Sequence, residues 1–330
     1  MQFEINIYCA CKHKKVQIKM KITVSLTGGL GNQLFQLAAG LNAAAEKNLH
    51  LSTSLGGPRI NENGKAELSS FNLPVNVIID QNRPASWFSR KVANYLLRIT
   101  TATKKFENLK YFRCFVSAIA SIPLSLFLKE KTAIFLAKDI GYSEIKLKER
   151  NNLLFGYFQT YFWAENSRVK STLMNMSPKK FEEEIRYFRN LAIIEKPIVV
   201  HVRLTDYFNE KTFGVPTQNY YTRGIEKILQ TGSYNSIWLF SDDLQMAREF
   251  LPKDCKLPIR TIDQVNGSTA LTFEIMRLGY GYVLANSTFS WWAAYLTRNL
   301  EVEVVAPEPW FIGRPEPDLL IPRDWHRILR

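Results

Sequence analysis

Short apolar runs alternate along the chain with longer stretches in which apolar residues recur every three or four positions, the two periods of strand and helix. KITVSL (Lys21–Leu26) reads as a strand. It leads through TGGLGNQLFQLAAG (Thr27–Gly40) into a helix running to Lys47. NLHLSTS (Asn48–Ser54) is a second short strand, and the region from about 80 to 150 is basic and helical in character. NLLFGYFQT (Asn152–Thr160) reads as a strand, followed by a charged helical zone to about residue 190. PIVVHVRL, SIWLFSD, KLPIRTID and YGYVLANS are strands separated by helical stretches, and VEVVAP is a last strand. Strands alternating with helices predict parallel sheets covered on both faces. Two such sets, with a helical zone near 165–195 between them, predict an α/β chain of two Rossmann-like domains. The boundaries fall at 20–190 and 191–330. Met20 directly precedes the first strand, which makes residues 1–19 an N-terminal extension.

Composition narrows the picture. A chain of 330 residues, 46% hydrophobic, has ample material for two cores. No segment reaches the roughly 18 apolar residues needed to span a bilayer; the longest candidate, FVSAIASIPLSLFL (Phe115–Leu128), is shorter and contains Pro123. In the first twenty residues the charges follow the apolar part, the reverse of a secretory signal. Of the four cysteines, Cys9 and Cys11 form a C-x-C with no matching second pair, a poor zinc signature. Few cysteines and no signal point to the cytoplasm. The net charge is +13, much of it local: from Arg83 to Arg113 eight Lys/Arg face one acid, a surplus of seven. A solvated face and attraction to an anionic membrane leaflet both account for this. Aromatics are interleaved, but no nucleic-acid motif accompanies them, so nucleic acid is not expected as a partner.

Four motifs carry candidate chemistry. The glycine turn has Gly29-x-Gly31 but Leu34 where a dinucleotide fingerprint needs its third glycine, and no acid follows the second strand. NAD, FAD and P-loop nucleotides therefore fit poorly. What remains is either a tight structural turn or a helix N-terminus facing an anion, with Asn32 and Gln33 as side-chain donors at its mouth. In VVHVRLTDYF (Val199–Phe208), Val200 and Val202 share one strand face and His201 and Arg203 the other. The C-terminal ends of parallel strands are where ligands bind. Arg203 has the planar fork of donors that suits phosphate, and Asp206 either orients the turn or holds Arg203; a structural salt bridge is the other reading. In LANSTFSWWAAYL (Leu284–Leu296) Asn286, Ser287, Thr288 and Ser290 gather at a helix start. One is an N-cap, and the rest exceed what a cap needs. Trp291 and Trp292 read as core. Finally, Asp242 and Asp243 follow one strand and Asp263 the next. Their spacing is not D-x-D and no His-rich cluster is near, so no metal site is expected. A carboxylate there either caps a helix or reads the paired donors of guanine.

TGGLGNQLFQLAAG, GYFQTYFW, HVRLTDY, FSDD, ANSTFSWWAAYL and VVAPEPWF, in this order, resemble the α-1,2-fucosyltransferases of glycosyltransferase family 11, over about residues 20–330. The resemblance implies a GT-B architecture, two Rossmann-like domains facing a cleft, with the acceptor on the N-terminal side and GDP-β-L-fucose on the C-terminal side. It implies inverting, metal-independent transfer of fucose to a 2-hydroxyl, usually of galactose in an oligosaccharide or lipid-linked glycan. No cofactor is implied. By the same resemblance Arg203 is similar to the arginine that grips the donor pyrophosphate, with His201 and Asp206 shaping its loop. Asp263 resembles the guanine-reading acid, and Asp242 lies in a neighbouring acidic motif. Ser287, Thr288 and Ser290 resemble a hydroxyl cluster near the phosphates, and Asn32, with Gly29 and Gly31, the mouth of the cleft. Many relatives have arginine where Leu204 stands and glycine where Thr205 stands, so a second cation is missing from the motif here.

For the general base, Glu210, just after the Arg203 loop, is the nominee, and Asp206 or no strong base are the rivals. Another GDP-sugar transferase, or a non-catalytic module binding nucleotide or glycan, stays open, because a fold does not fix a function.

Overall fold

The computed structural model describes residues 20–56, 60, 65–80, 84–101, 132–205, 207, 212–263 and 267–330. Residues 1–19, Asp206, Glu210 and the apolar segment 115–128 lie outside the described residues.

The first domain holds a five-stranded parallel sheet in the order β3-β2-β1-β5-β4. Its strands are β1 (Ile22–Ser25), β2 (Leu49–Ser52), β3 (Val77–Asp80), β4 (Thr132–Leu136) and β5 (Asn151–Phe155). Helix α1 (Leu30–Ala44) follows β1, a 3₁₀ turn (Glu67–Ser70) precedes β3, and α2 (Trp87–Thr101) follows it. Short helices α3 (Phe162–Glu165) and α4 (Ser167–Met174) lead out of the domain.

Helix α5 (Glu182–Glu195) lies against the second sheet, with Phe188 edge-on to Trp238 at 5.9 Å. That sheet contains β6 (Pro197–Val202), β7 (Ser236–Ser241), β8 (Ile259–Ile262), β9 (Gly281–Val283), β10 (Glu303–Glu308) and β11 (His326–Leu329). Its helices are α6 (Gln218–Leu229), α7 (Leu244–Ala247), α8 (Thr269–Met276) and α9 (Thr288–Tyr295). The strands are all parallel, in the order β11-β10-β9-β6-β7-β8. Counted from β6 this is 6-5-4-1-2-3, the doubly wound Rossmann order. The period-2 reading of β6 holds. Ile198, Val200, Val202 and Leu204 join one core cluster, while Val199 packs in the cluster on the other face.

The structure departs from the sequence reading in three places. The strand expected over 152–160 ends at Phe155, because Gly156 takes a φ of +158° and Phe158 one of +55°. A Cβ on Gly156 would lie 2.4 Å from that of Ala137. The chain therefore leaves the sheet there and delivers residues 157–160 elsewhere. The middle region is not wholly helical, since β4 lies within it. And β3, β4 and β11, of four or five residues, have no counterpart among the strands read from the sequence.

One aromatic core runs through both domains. Phe35 of α1 packs 4.7 Å from Trp291 and 4.8 Å from Trp292, ring centroid to centroid, and both tryptophans are fully buried. The passage between domains is fastened by buried charge. Arg277 donates to the carbonyls of Met174 (3.0 Å), Met176 (3.3 Å) and Leu296 (2.7 Å), and pairs with Glu274 at 2.8 Å. Burial lowers the Arg277 pKa to about 10 against the pull of Glu274, so it stays charged at neutral pH. Arg298 adds a second pair to Glu274 at 2.8 Å and a bond to Met174 O at 2.8 Å. Removing one partner would strand a buried charge, which is the costly failure for such a cluster.

Candidate active site

In a doubly wound sheet the crevice opens where the strand order reverses. In the second sheet that point lies between β6 and β9. Arg203 follows β6, and Asn286 and Ser287 follow β9. In the first sheet the chain leaves β1 through Gly28 and Gly29, and leaves β5 through Tyr157. Both crevices open on one cavity of about 500 Å³ between the domains. Its wall includes Gly29, Gly31, Asn32, His201, Arg203, Asp242, Asp263, Ser287 and Thr288. That volume falls within the range of small-molecule sites.

Arg203 is held from behind. Its Nε lies 3.4 Å from Asp242 Oδ2, and its guanidinium carbon 5.9 Å from the Tyr207 ring. Asp242 also accepts from the N–H groups of Leu204 (2.9 Å) and Thr205 (3.0 Å) and from the Thr205 hydroxyl. Burial tends to raise the Asp242 pKa, but these bonds and the charge of Arg203 outweigh it and hold the carboxyl below its ordinary value. Asp242 is thus a clamp on the arginine turn. Asp243 next to it caps α7 through Met246 N at 3.0 Å. Leu204 is fully buried in the core on the far face, so this position serves packing.

His201 is 5% exposed, faces the cavity, and its Nδ1 has no hydrogen-bond partner. Burial, helped by the charge of Arg203 and opposed by Asp242, lowers its pKa to about 3. The ring is therefore neutral at physiological pH, and its Nδ1 is enclosed by the protein.

Ser287 caps α9, its hydroxyl accepting from Phe289 N at 3.4 Å. Ser290 is fully buried, donates to Ser287 O at 3.2 Å, and does not line the cavity. Asn286 Nδ2 bonds the carbonyls of Phe213 (2.9 Å), Gly214 (3.3 Å) and Trp310 (3.2 Å), which fastens the segment returning from the Arg203 loop.

On the opposite side the glycine turn has a different task. A Cβ on Gly31 would sit 2.4 Å from the Thr288 carbonyl carbon, so this glycine lets α1 press directly on the start of α9. Gly28 has a φ of +75°, and Asn32 lies over it with its Oδ1 accepting from Gln159 at 2.8 Å. Gln33 is not at the mouth. It is 1% exposed, donates to Gly28 O at 2.8 Å and accepts from Leu68 N at 3.2 Å. A glutamine one position past Asn32 points 100° away around the helix, toward the core side. Gln36 is likewise buried, bridging Thr27 N and Gly156 O, both at 3.0 Å.

Motif reading missed several wall residues. Tyr157 and Tyr207 sit inside GYFQTYFW and HVRLTDY, and their place in those motifs was the available signal. Glu67, Thr269, Thr272 and Met276 belong to no motif. The 3₁₀ turn carrying Glu67 packs on α8 through Phe71 and Phe273, centroids 6.1 Å apart.

The profile described as Glycosyl transferase family 11 matches residues 134–310, more than half of the chain and the part that carries Arg203, Asp242 and the α9 cap. The chain belongs to glycosyl transferase family 11. It is similar to an alpha-1,2-colitosyltransferase of Escherichia coli, 24% identical over 308 residues, 88% of this chain and 93% of the relative. It is also similar to the O-antigen biosynthesis glycosyltransferase WbnK of Escherichia coli, 26% identical over 312 residues, 87% and 94% of the two chains. Among solved structures, the fucosyltransferase NodZ from Bradyrhizobium aligns with 84% of this chain and 93% of its own, at 14% identity and a TM-score of 0.48. Within this family 11 chain, no three His, Cys, Asp or Glu side chains come together as a metal-ligand set among the described residues.

Proposed function

We propose that this family 11 glycosyltransferase moves L-fucose from GDP-β-L-fucose to the 2-hydroxyl of a glycan acceptor, galactose by preference, with inversion and without a metal ion. The observation that carries the reading is the Arg203–Asp242 unit: a cation fixed at the strand-order reversal, beside the capped start of α9, facing the inter-domain cavity. In the reaction the acceptor oxygen bonds to the anomeric carbon as the bond from that carbon to the β-phosphate oxygen breaks. The electron pair passes to the phosphate, and a base takes the hydroxyl proton. Negative charge grows on the β-phosphate, where Arg203, Ser287, Thr288 and the N-terminal end of α9 would meet it, donors set before reaction begins. By analogy with dinucleotide folds, the nucleoside lies over β7 and β8. Asp263 would there read guanine, and Glu67 and Thr272 face the ribose. His201, neutral, would help shape the wall beside Arg203. Glu210 remains the proposed base, with Asp206 as the alternative.

A second reading keeps the mechanism and changes the sugar. One relative is named for colitose, so a different GDP-sugar is the specific rival. The test is a donor panel, GDP-fucose and GDP-colitose, with galactoside acceptors in EDTA, scored by GDP release and by linkage analysis of the product. A 1,2-linked fucosyl product in EDTA supports the proposal. Turnover with GDP-colitose alone, or an absolute need for Mn²⁺ or Mg²⁺, overturns it.

A further inference from the structure

We propose that helix α2 is a membrane-contact element that seats the protein on an anionic bilayer surface. Its inner face, Ser89, Ala93, Leu96 and Leu97, is buried, and the apolar members pack with Leu55, Leu153 and Phe155 against the first sheet. Its outer face reads Trp87, Lys91, Tyr95, Arg98, at steps of four, four and three residues, with Phe88 beside the first. These steps fall on one line along a helix, about 16 Å long at 1.5 Å per residue. Aromatic and cation therefore alternate along a single exposed stripe, and Lys91 Nζ stands 4.0 Å over the Trp87 ring.

Trp87 is 63% exposed, Phe88 57% and Tyr95 56%, while the other six tryptophans of the chain are at most 8% exposed. Tryptophan and tyrosine favour the headgroup level of a bilayer, and basic residues near it gain from anionic lipid. Residues 84–101 contain Arg90, Lys91 and Arg98 and no acid. Helix α5 is the internal contrast. It also exposes apolar side chains, Tyr187, Ile193 and Ile194, but its first turn carries Glu182, Glu183 and Glu184, which an anionic surface repels. A nucleic acid would supply negative charge too, but the stripe presents its aromatics at one level along a straight line, which suits a flat interface. The placement has a use. Ala85 N donates to Ser54 O at 2.8 Å, just past the C-terminal end of β2, the end of the first sheet that faces the cavity. The Trp87 end of the helix is thus on the side from which a lipid-linked acceptor would enter.

Trp87 itself provides the readout, because it is the exposed tryptophan. The full chain is mixed with vesicles of dibrominated phosphatidylcholine, with or without phosphatidylglycerol, and tryptophan fluorescence is followed. The expected result is quenching with the anionic vesicles at about 0.05 M salt that fades at about 0.5 M, as screening shortens. Trp87→Phe should remove the quenching while flotation with the vesicles persists. Lys91→Gln with Arg98→Gln should weaken partition about tenfold or more, with transfer to a soluble acceptor unchanged. Equal partition of the wild type and the double variant, or equal quenching by neutral and anionic vesicles, overturns the proposal. So does a single-stranded oligonucleotide that binds the wild type more tightly than the vesicles and displaces them. None of these outcomes depends on which donor sugar the cavity accepts.

Discussion

At the end of β1 the turn Thr27–Gly29 is closed on itself. Gln36 takes Thr27 N, Gln33 takes Gly28 O, and Gly31 presses on Thr288. At the end of β6 the turn is held from outside, by Asp242 gripping Leu204 N and Thr205 N, and its side chains Arg203 and His201 face the cavity. Both stand at the C-terminal end of a strand beside a strand-order reversal, where ligand sites form. The difference shows that topology creates the opportunity twice, while side-chain chemistry takes it mainly once. The glycine turn aligns the two domains, and the β6 turn presents charge.

The contrast breaks most sharply at Arg203. Arg203→Ala should lower turnover about 10²–10³-fold, the scale for losing a preorganised donor to a growing anion. Arg203→Lys should restore little, because a point charge lacks the planar fork. Near-normal turnover in the alanine variant would make this junction as structural as the other.

A smaller effect is expected at Gly31. Gly31→Ala must push α1 off α9 and should cost about 1–3 kcal/mol, as overpacking does, read by urea unfolding. Gly232→Ala is the control, since its Cβ would meet Tyr234 at an ordinary 3.4 Å. Equal stability of the two variants would deny the glycine turn its aligning role.

The gentlest probe is pH. His201 is held neutral down to about pH 3 in the folded chain, while the unfolded chain protonates it near 6.5. Between those values the unfolded state binds more protons, so stability falls as pH falls. The slope approaches about 1.4 kcal/mol per pH unit below about pH 6. Asp242, with its lowered pKa, keeps its contribution until the pH drops below the ordinary carboxylate value near 3.8, so the window from 6.5 to 4.5 belongs to the histidine. The difference in unfolding free energy between wild type and His201→Gln should vary across that window. A constant difference would mean that the ring is not buried as described.

What the sequence made legible follows from range. The period-2 face of β6, the turn that ends it and the cap of α9 are local patterns, and they were readable as such. Trp291 and Trp292 were readable as core because a small polar cap precedes them on a short apolar helix. Gly31 against Thr288 joins residues more than 250 positions apart, and nothing local marks it. Gln33 was misread because a polar side chain beside a turn suggests exposure, when its amide instead ties Gly28 to Leu68. Glu67 reaches the cavity only because a 3₁₀ turn leans on a helix of the other domain.

Phe35, set between two tryptophans of the other domain, has a thermodynamic consequence. Neither sheet owns a complete hydrophobic interior, so the melting of one half would expose Trp291 and Trp292 and remove the support of the other. The chain should therefore lose its structure in a single cooperative transition, with calorimetric and van't Hoff enthalpies in agreement, although two sheets are present. Independent domains are separable in evolution and in the test tube; these two have traded that independence for a cleft whose walls are fixed by the same interior.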